Sequence, residues 1–223
     1  MRRNGDKEWL ELNKTVQEQL KREATFSDGI ESVLLLRQKL MEELYCMKQE
    51  LSRDEFNAIP FLNADGYHSK TIAYSIWHIF RIEDIVAHTL IRKDCQIFFA
   101  NGYQEKIGSP IVTTGNELTG QQIADFSSVL DLERLYEYSA EVKQSTENIL
   151  KELSYRELKR KFTDADKEEL RALGVVSTDE KAFWLIDYWC GKDIRGLIQM
   201  PFSRHWIMHV EASLRIKNKI SAK

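Results

Sequence analysis

Apolar residues recur at steps of three and four along several long stretches of this chain, the spacing that lines one face of an α-helix. The clearest early stretch covers about residues 27–53, proline-free, with Ile30, Val33, Leu34, Leu40, Met41, Leu44, Tyr45 and Leu51 and with Asp28 in its first turn. Residues 6–23 predict a shorter, highly charged helix with Trp9, Leu12, Val16 and Leu20 on one face. Residues 71–91 (TIAYSIWHIFRIEDIVAHTLI) have so wide an apolar face that a central helix touching several neighbours is expected. The pattern returns at about 131–153, with Leu132, Leu135, Tyr136, Val142, Ile149, Leu150 and Leu153, and again at about 202–219 (FSRHWIMHVEASLRIKNK). A shorter helix is expected over 179–188, with Phe183, Trp184, Leu185 and Ile186.

Between these stretches lie segments of a different texture. Residues 57–67 (NAIPFLNADGY) read as a loop, and 101–120 as a long irregular connection holding four of the ten glycines and one proline. Residues 155–172 are poor in apolar side chains and are expected on the surface, and Gly191 and Gly196 are expected to loosen the chain before the last helix. Four substantial antiparallel helices with a long crossing connection fit an all-α four-helix bundle. No internal repeat or linker divides the chain, so one domain is expected: a helical extension over 1–25 and the bundle over 26–223.

Composition narrows the picture. With 10 Gly and 3 Pro in 223 residues the chain is short of the turn-makers that an all-β sandwich or barrel requires. A net charge of −3, with acids and bases interspersed, offers no broad face to neutralise phosphates, which argues against a nucleic-acid partner. Cys46, Cys95 and Cys190 are an odd number without CxxC spacing, so neither a disulfide framework nor a thiolate zinc site is expected. No apolar run follows the N-terminal arginines and none approaches the ~18 residues of a membrane span, so a cytoplasmic protein without a membrane partner is expected.

The chemistry lies in the histidines. His205 and His209 stand four apart on a predicted helix, which sets two imidazoles one turn apart on the same face, able to share a metal ion. Trp206 follows His205, so this is not the HExxH of a zinc protease. His78, between Trp77 and Ile79 in the most apolar helix, is the best third ligand; a core histidine bonded to backbone or tyrosine is its structural alternative. His88 falls roughly 80° around an ideal helix from His78 and is expected near the outer surface or behind the ligands. His68, just after Gly66, is expected to cap or line its loop.

WHIFRIED around His78 and the terminal SRHWIMH with His205 and His209 resemble the DinB-like (DinB/YfiT) superfamily, over most of the chain from about residue 27 onward. The resemblance implies a four-helix bundle of down-up-up-down topology, to which the N-terminal helix is an addition. It also implies one divalent metal ion on His78, His205 and His209, with the remaining positions open. Relatives in that superfamily often continue the last motif as HxxxHxGQ; here Ala212 stands where Gln is usual and Glu211 one residue earlier, read as a surface acid. The chemistry implied is a thiol S-transferase using bacillithiol or a similar low-molecular-weight thiol, or a hydrolase.

Three neutral imidazoles leave a divalent ion its full charge and at least one open position, which suits both chemistries. Zinc is the first choice on availability and nickel the second. Trp77, Phe80, Arg81, Tyr188, Arg204 and Trp206 are the residues expected to line a pocket for a small-molecule substrate, with core packing or surface ion pairs as the alternative for each. A non-catalytic metal- or ligand-binding bundle, serving as a sensor or interaction module, stays open. A homodimer through the first helix, with Trp9 on an exposed apolar face, is a further expectation.

Overall fold

The structure, a computed structural model, describes residues 4–62 and 69–222, with side chains from Glu8 onward. Several of its helix starts are written in the sequence as short polar caps that accept a backbone N–H the first turn leaves unpaired. Thr71 accepts from the Tyr74 amide at 3.0 Å and opens α4 (Ile72–Asp84). Asp131 accepts from Arg134 at 3.1 Å and opens α8 (Leu132–Glu152). Before these come α1 (Asn4–Gln19), α2 (Phe26–Glu50) and the single-turn α3 (Arg53–Asn57), the last closed by a Ser52–Glu55 capping box. Three short helices bridge α4 to α8: α5 (Ile97–Ala100), α6 (Tyr103–Ile107) and α7 (Gln121–Val129). After α8 follow α9 (Asp164–Ala172), α10 (Glu180–Cys190), α11 (Ile194–Gln199) and α12 (Arg204–Ser221). The described residues contain no strand, only one isolated bridge between Lys161 and Asp193. None of their helices is long and apolar enough to cross a membrane.

The long helices pack as a ring: α4 lies against α8 and α12, and α2 touches both of those. Every residue of α4 is buried, as its wide apolar face predicts. At its C-terminal end, Asp84 accepts from the amides of Ile97 and Phe98, each at 2.9 Å, and from the Tyr138 hydroxyl at 2.9 Å. One buried carboxylate thus ties the connection and α8 to α4. A second buried group spans all four helices. Arg37 of α2 donates to both oxygens of Glu83 of α4, at 2.6 and 2.8 Å, and at 3.3 Å to Glu147 of α8. Trp206 of α12 donates its indole N–H to Glu83 at 2.7 Å and lies 4.5 Å below the Arg37 guanidinium.

Four expectations change. First, α1 packs along α2 with Trp9 only 5% exposed in the core, so the apolar face proposed for pairing is spent within the chain. Gly29 permits this approach, since a Cβ there would stand 2.9 Å from Leu20 Cδ2. Second, the helix over 71–91 changes to π-type hydrogen bonding from Ile85 to Arg92 and ends at Lys93 in a left-handed conformation. Third, residues 155–172 are not wholly a surface stretch: Leu158 and Leu170 are buried, and α9 starts from a Thr163–Asp166 capping box. Fourth, Gly196 lies inside α11, because the Asp193 carboxylate accepts from the Gly196 amide at 2.8 Å and organises the turn despite the glycine.

Candidate metal centre

Three histidines meet where α4 faces α12. The one-turn separation on α12 sets the rings of His205 and His209 4.6 Å apart, and His78 of α4 faces them at 5.1 and 4.8 Å between ring centres. All three are buried, and each offers a ring nitrogen within 4.8 Å of the other two, close enough to hold a metal ion.

The surroundings set their protonation and orientation. His78 Nδ1 lies 2.7 Å from the Thr114 carbonyl; donation there fixes the tautomer and leaves the Nε2 lone pair for a ligand. The Tyr74 ring stacks on His78 at 5.4 Å, and its hydroxyl donates to the Gly115 carbonyl at 2.9 Å. Gly115 has φ +77°, and a Cβ there would stand 3.1 Å from Tyr74 Cε2, so the loop comes this close because the residue is glycine. Burial, with Lys70 adding to it against the opposing Thr114 bond, lowers His78 to about 4. Burial and the neighbouring imidazoles push His205 and His209 well below the ordinary histidine range. All three are therefore neutral at pH 7, the form that binds a metal. His205 Nδ1 is buried without a hydrogen-bond partner, an atom that a metal ion or a bound molecule satisfies.

The residue set fits a divalent ion. Its donors are imidazole only, and no fourth side-chain donor joins the group among the described residues, so a metal held there keeps an open position. The nitrogens border a cavity of about 410 Å³, the size of a small-molecule site. Trp184, Leu185, Tyr188 and Trp189 of α10 form one wall; Met200 and Pro201, before α12, form another; Lys70, Tyr74 and Asn116 complete the lining near His78.

Of the residues expected to line a pocket, Tyr188 does. Trp77 sits in the core among Phe98, Phe126 and Tyr138. Phe80 packs edge-on to Trp206, which belongs to the Arg37–Glu83 network. Arg81 is fully buried, donates to the Val112 carbonyl at 2.9 Å and stacks on Phe98, with Asp84 at 3.6 Å. Arg204 is exposed outside the cavity, one helix position from His205 and therefore on another face. His88 is neither at the outer surface nor behind the ligands: it is 3% exposed, bonded to Asp94 at 2.5 Å and to Ser145 at 3.1 Å. The outer-surface expectation fails because this segment is buried on every side from Ile72 to Ile91. Glu211 is half-buried at the rim of α12, and His68 lies outside the described residues.

Sequence reasoning missed Lys70, Asn116, Trp184 and Met200. Only Trp184 carried a signal, because it stands four residues before Tyr188 and so shares its helix face. No family model matches this chain, and no curated protein matches it either.

Proposed function

We propose that this protein is a metal-dependent enzyme of the DinB-like superfamily, a four-helix bundle of down-up-up-down topology acting on a small molecule at His78, His205 and His209. The observation that carries this reading is the set of three buried, neutral imidazoles at the wall of a cavity, with His78 locked in one tautomer by the Thr114 carbonyl. A structural metal is normally closed by four protein ligands, whereas this set has three beside a space large enough for a substrate. The ring formed by α2, α4, α8 and α12, with a long connection between α4 and α8, supports the topology.

Zinc is the ion proposed, with nickel second. When bound it supplies Lewis acidity to a thiol or an oxygen at its open position. The chain's own groups favour the thiol. No carboxylate lines the cavity among the described residues, so hydrolysis would lack a side-chain carboxylic acid to protonate a leaving group, whereas thiolate transfer to a halide-type electrophile needs none. Tyr74 and Thr114 hold His78 in place, and α10 and Met200 supply apolar walls for the electrophile. The activity proposed is therefore thiol S-transfer to an electrophile.

Elemental analysis of the purified protein and of His205→Ala tests the site. Near one equivalent of zinc or nickel, lost in the variant, is the expected result. Thiol consumption by the loaded protein, with a low-molecular-weight thiol and an aryl halide electrophile, then tests the reaction. Failure to take up either metal on titration overturns the enzyme reading; full loading without thiol turnover overturns the transfer assignment.

A further inference from the structure

We propose that the cavity beside the three histidines binds a small carboxylate with an aromatic or alkyl body, the anion seated between Lys70 and the metal centre and the body against Trp184 and Tyr188. This deepens the metal reading and rests on it for the second of two positive charges that face the anion.

Charge balance gives the sign of the ligand. Lys70 is the one formally charged side chain in the cavity lining among the described residues, since the histidines are neutral and no carboxylate is present. Its ammonium lies 5.0 Å from the Tyr74 ring centre, and that ring stacks on His78, so the cation is adjacent to the metal ligands. Two other lysines drawn into the protein bring an anion with them: Lys143 meets Glu147 at 2.8 Å, and Lys217 meets Glu50. No carboxylate among the described residues does this for Lys70. A half-buried cation left without a counter-charge still carries a desolvation cost, and a divalent ion on three neutral ligands would add to the imbalance. A ligand that brings one negative charge corrects both. Asn116 of the same lining carries an amide Nδ2 that can donate to the carboxyl head, while its Oδ1 can only accept.

The mouth determines the body. Trp184 and Tyr188 are 50% and 36% exposed, large aromatic surface left to solvent where the cavity opens. They meet edge-to-face at 5.4 Å, and the Trp184 indole is fixed by donation to the Lys181 carbonyl at 2.8 Å, so this surface is held ready for a ligand. Leu185, Met200 and Pro201 continue the apolar lining inward, with Met200 able to adapt to different shapes.

Three probes with one body and different heads test the proposal: 4-phenylbutyrate, its uncharged amide and 4-phenylbutylamine, titrated calorimetrically into zinc-loaded protein. The acid is expected to bind at least tenfold more tightly than the amide, with the amine weakest. Lys70→Met, which keeps the side-chain stem, removes most of the preference for the acid while leaving the amide within twofold. Trp184→Ala weakens acid and amide alike. Equal binding of acid and amide, an unchanged preference in Lys70→Met, or no binding of any probe at millimolar concentration overturns the inference. Zinc content is measured on the same samples. Loss of metal uptake with a surviving Lys70-dependent preference sinks the metal reading alone, whereas full loading without that preference sinks the carboxylate inference alone.

Discussion

Two buried polar clusters are built on the same pair of helices, and they differ in whether the chain completes them. Glu83 stands five positions after His78 on α4, and Trp206 immediately follows His205 on α12. Glu83 and Trp206 turn into the bundle, where Arg37, Glu147 and Lys143 balance every charge and the Phe202 carbonyl accepts from Arg37 at 3.0 Å. His78 and His205 turn toward a cavity, where Thr114 satisfies one nitrogen of His78 and His205 Nδ1 has no hydrogen-bond partner. A closed network fixes helices in register, while an unfinished one needs a partner from outside. Burial of polar groups is therefore not itself the mark of a functional site; an unsatisfied atom beside accessible space is.

The sharpest way to break this contrast is to open the closed cluster. Arg37→Met leaves Glu83 and Glu147 buried without their cation, and a loss of about 3–5 kcal/mol in urea unfolding is expected. The double variant Arg37→Met/Glu83→Gln is expected to recover part of that loss, because it removes the stranded charge. Recovery of nothing would show that packing around Trp206, rather than charge balance, holds this region.

Acid acts on the other cluster. The folded histidines have lowered pKa values, about 4 for His78, against about 6.5 in the unfolded chain, so below pH 6.5 the unfolded state binds more protons. Their contribution is fully present above pH 7 and is lost as the pH falls from about 6.5 toward 4. For chelator-treated protein the expected slope is up to about 1.4 kcal/mol per pH unit for each histidine. Arg37 stays charged throughout, because the burial that opposes its charge is outweighed by Glu83 and Glu147. Urea midpoints measured from pH 7.5 to 5 check this; a flat profile would mean that the three imidazoles are hydrated in the folded protein.

A smaller effect is expected from Gly115→Ala. The positive φ costs an alanine about 1–2 kcal/mol, and its Cβ crowds Tyr74. Displacing the loop also moves the Thr114 carbonyl from His78, so zinc affinity is expected to fall about tenfold, as for other groups that orient a metal-bound histidine. Competition with a chromophoric chelator reads that change; unaltered affinity would remove Thr114 from the site.

The long helices were legible in the sequence because their apolar period and caps are local signals: Thr71 and Asp131 stand where α4 and α8 begin. The meeting of the three histidines was legible for the same reason, as an i, i+4 pair and a histidine too deep in an apolar run to face water. What depended on tertiary contact was not. Nothing near Lys70 in sequence says that it meets Tyr74 beside the histidines, and Trp9 looked exposed until Gly29 brought α1 down onto α2. The π turns after Asp84 likewise carry no local signal, and the outward expectation for His88 fails because the neighbours that bury every side of its segment are not visible in the sequence. Trp206 adjoins His205 in sequence but turns to another face of α12, and Arg81, three residues after His78, is drawn off by the Val112 carbonyl and Asp84, a tertiary arrangement its spacing does not reveal.

The smallest effect is the one that most directly separates the two clusters. His205→Ala in metal-free protein removes a buried nitrogen that has no hydrogen-bond partner, and what remains opens onto existing cavity space instead of enclosing a new void. The imidazole's lost contacts are offset by relief of its unsatisfied polar atom, so a stability change within about 1 kcal/mol is expected, against several for Arg37→Met. The same substitution should abolish the stabilisation that zinc confers on the unsubstituted protein, since a ligand bound only to the folded state raises its stability by mass action. Thermal unfolding with and without zinc measures both quantities. If His205→Ala destabilises the metal-free protein as severely as Arg37→Met does, the histidines are a structural cluster like the first, and the contrast between them is lost.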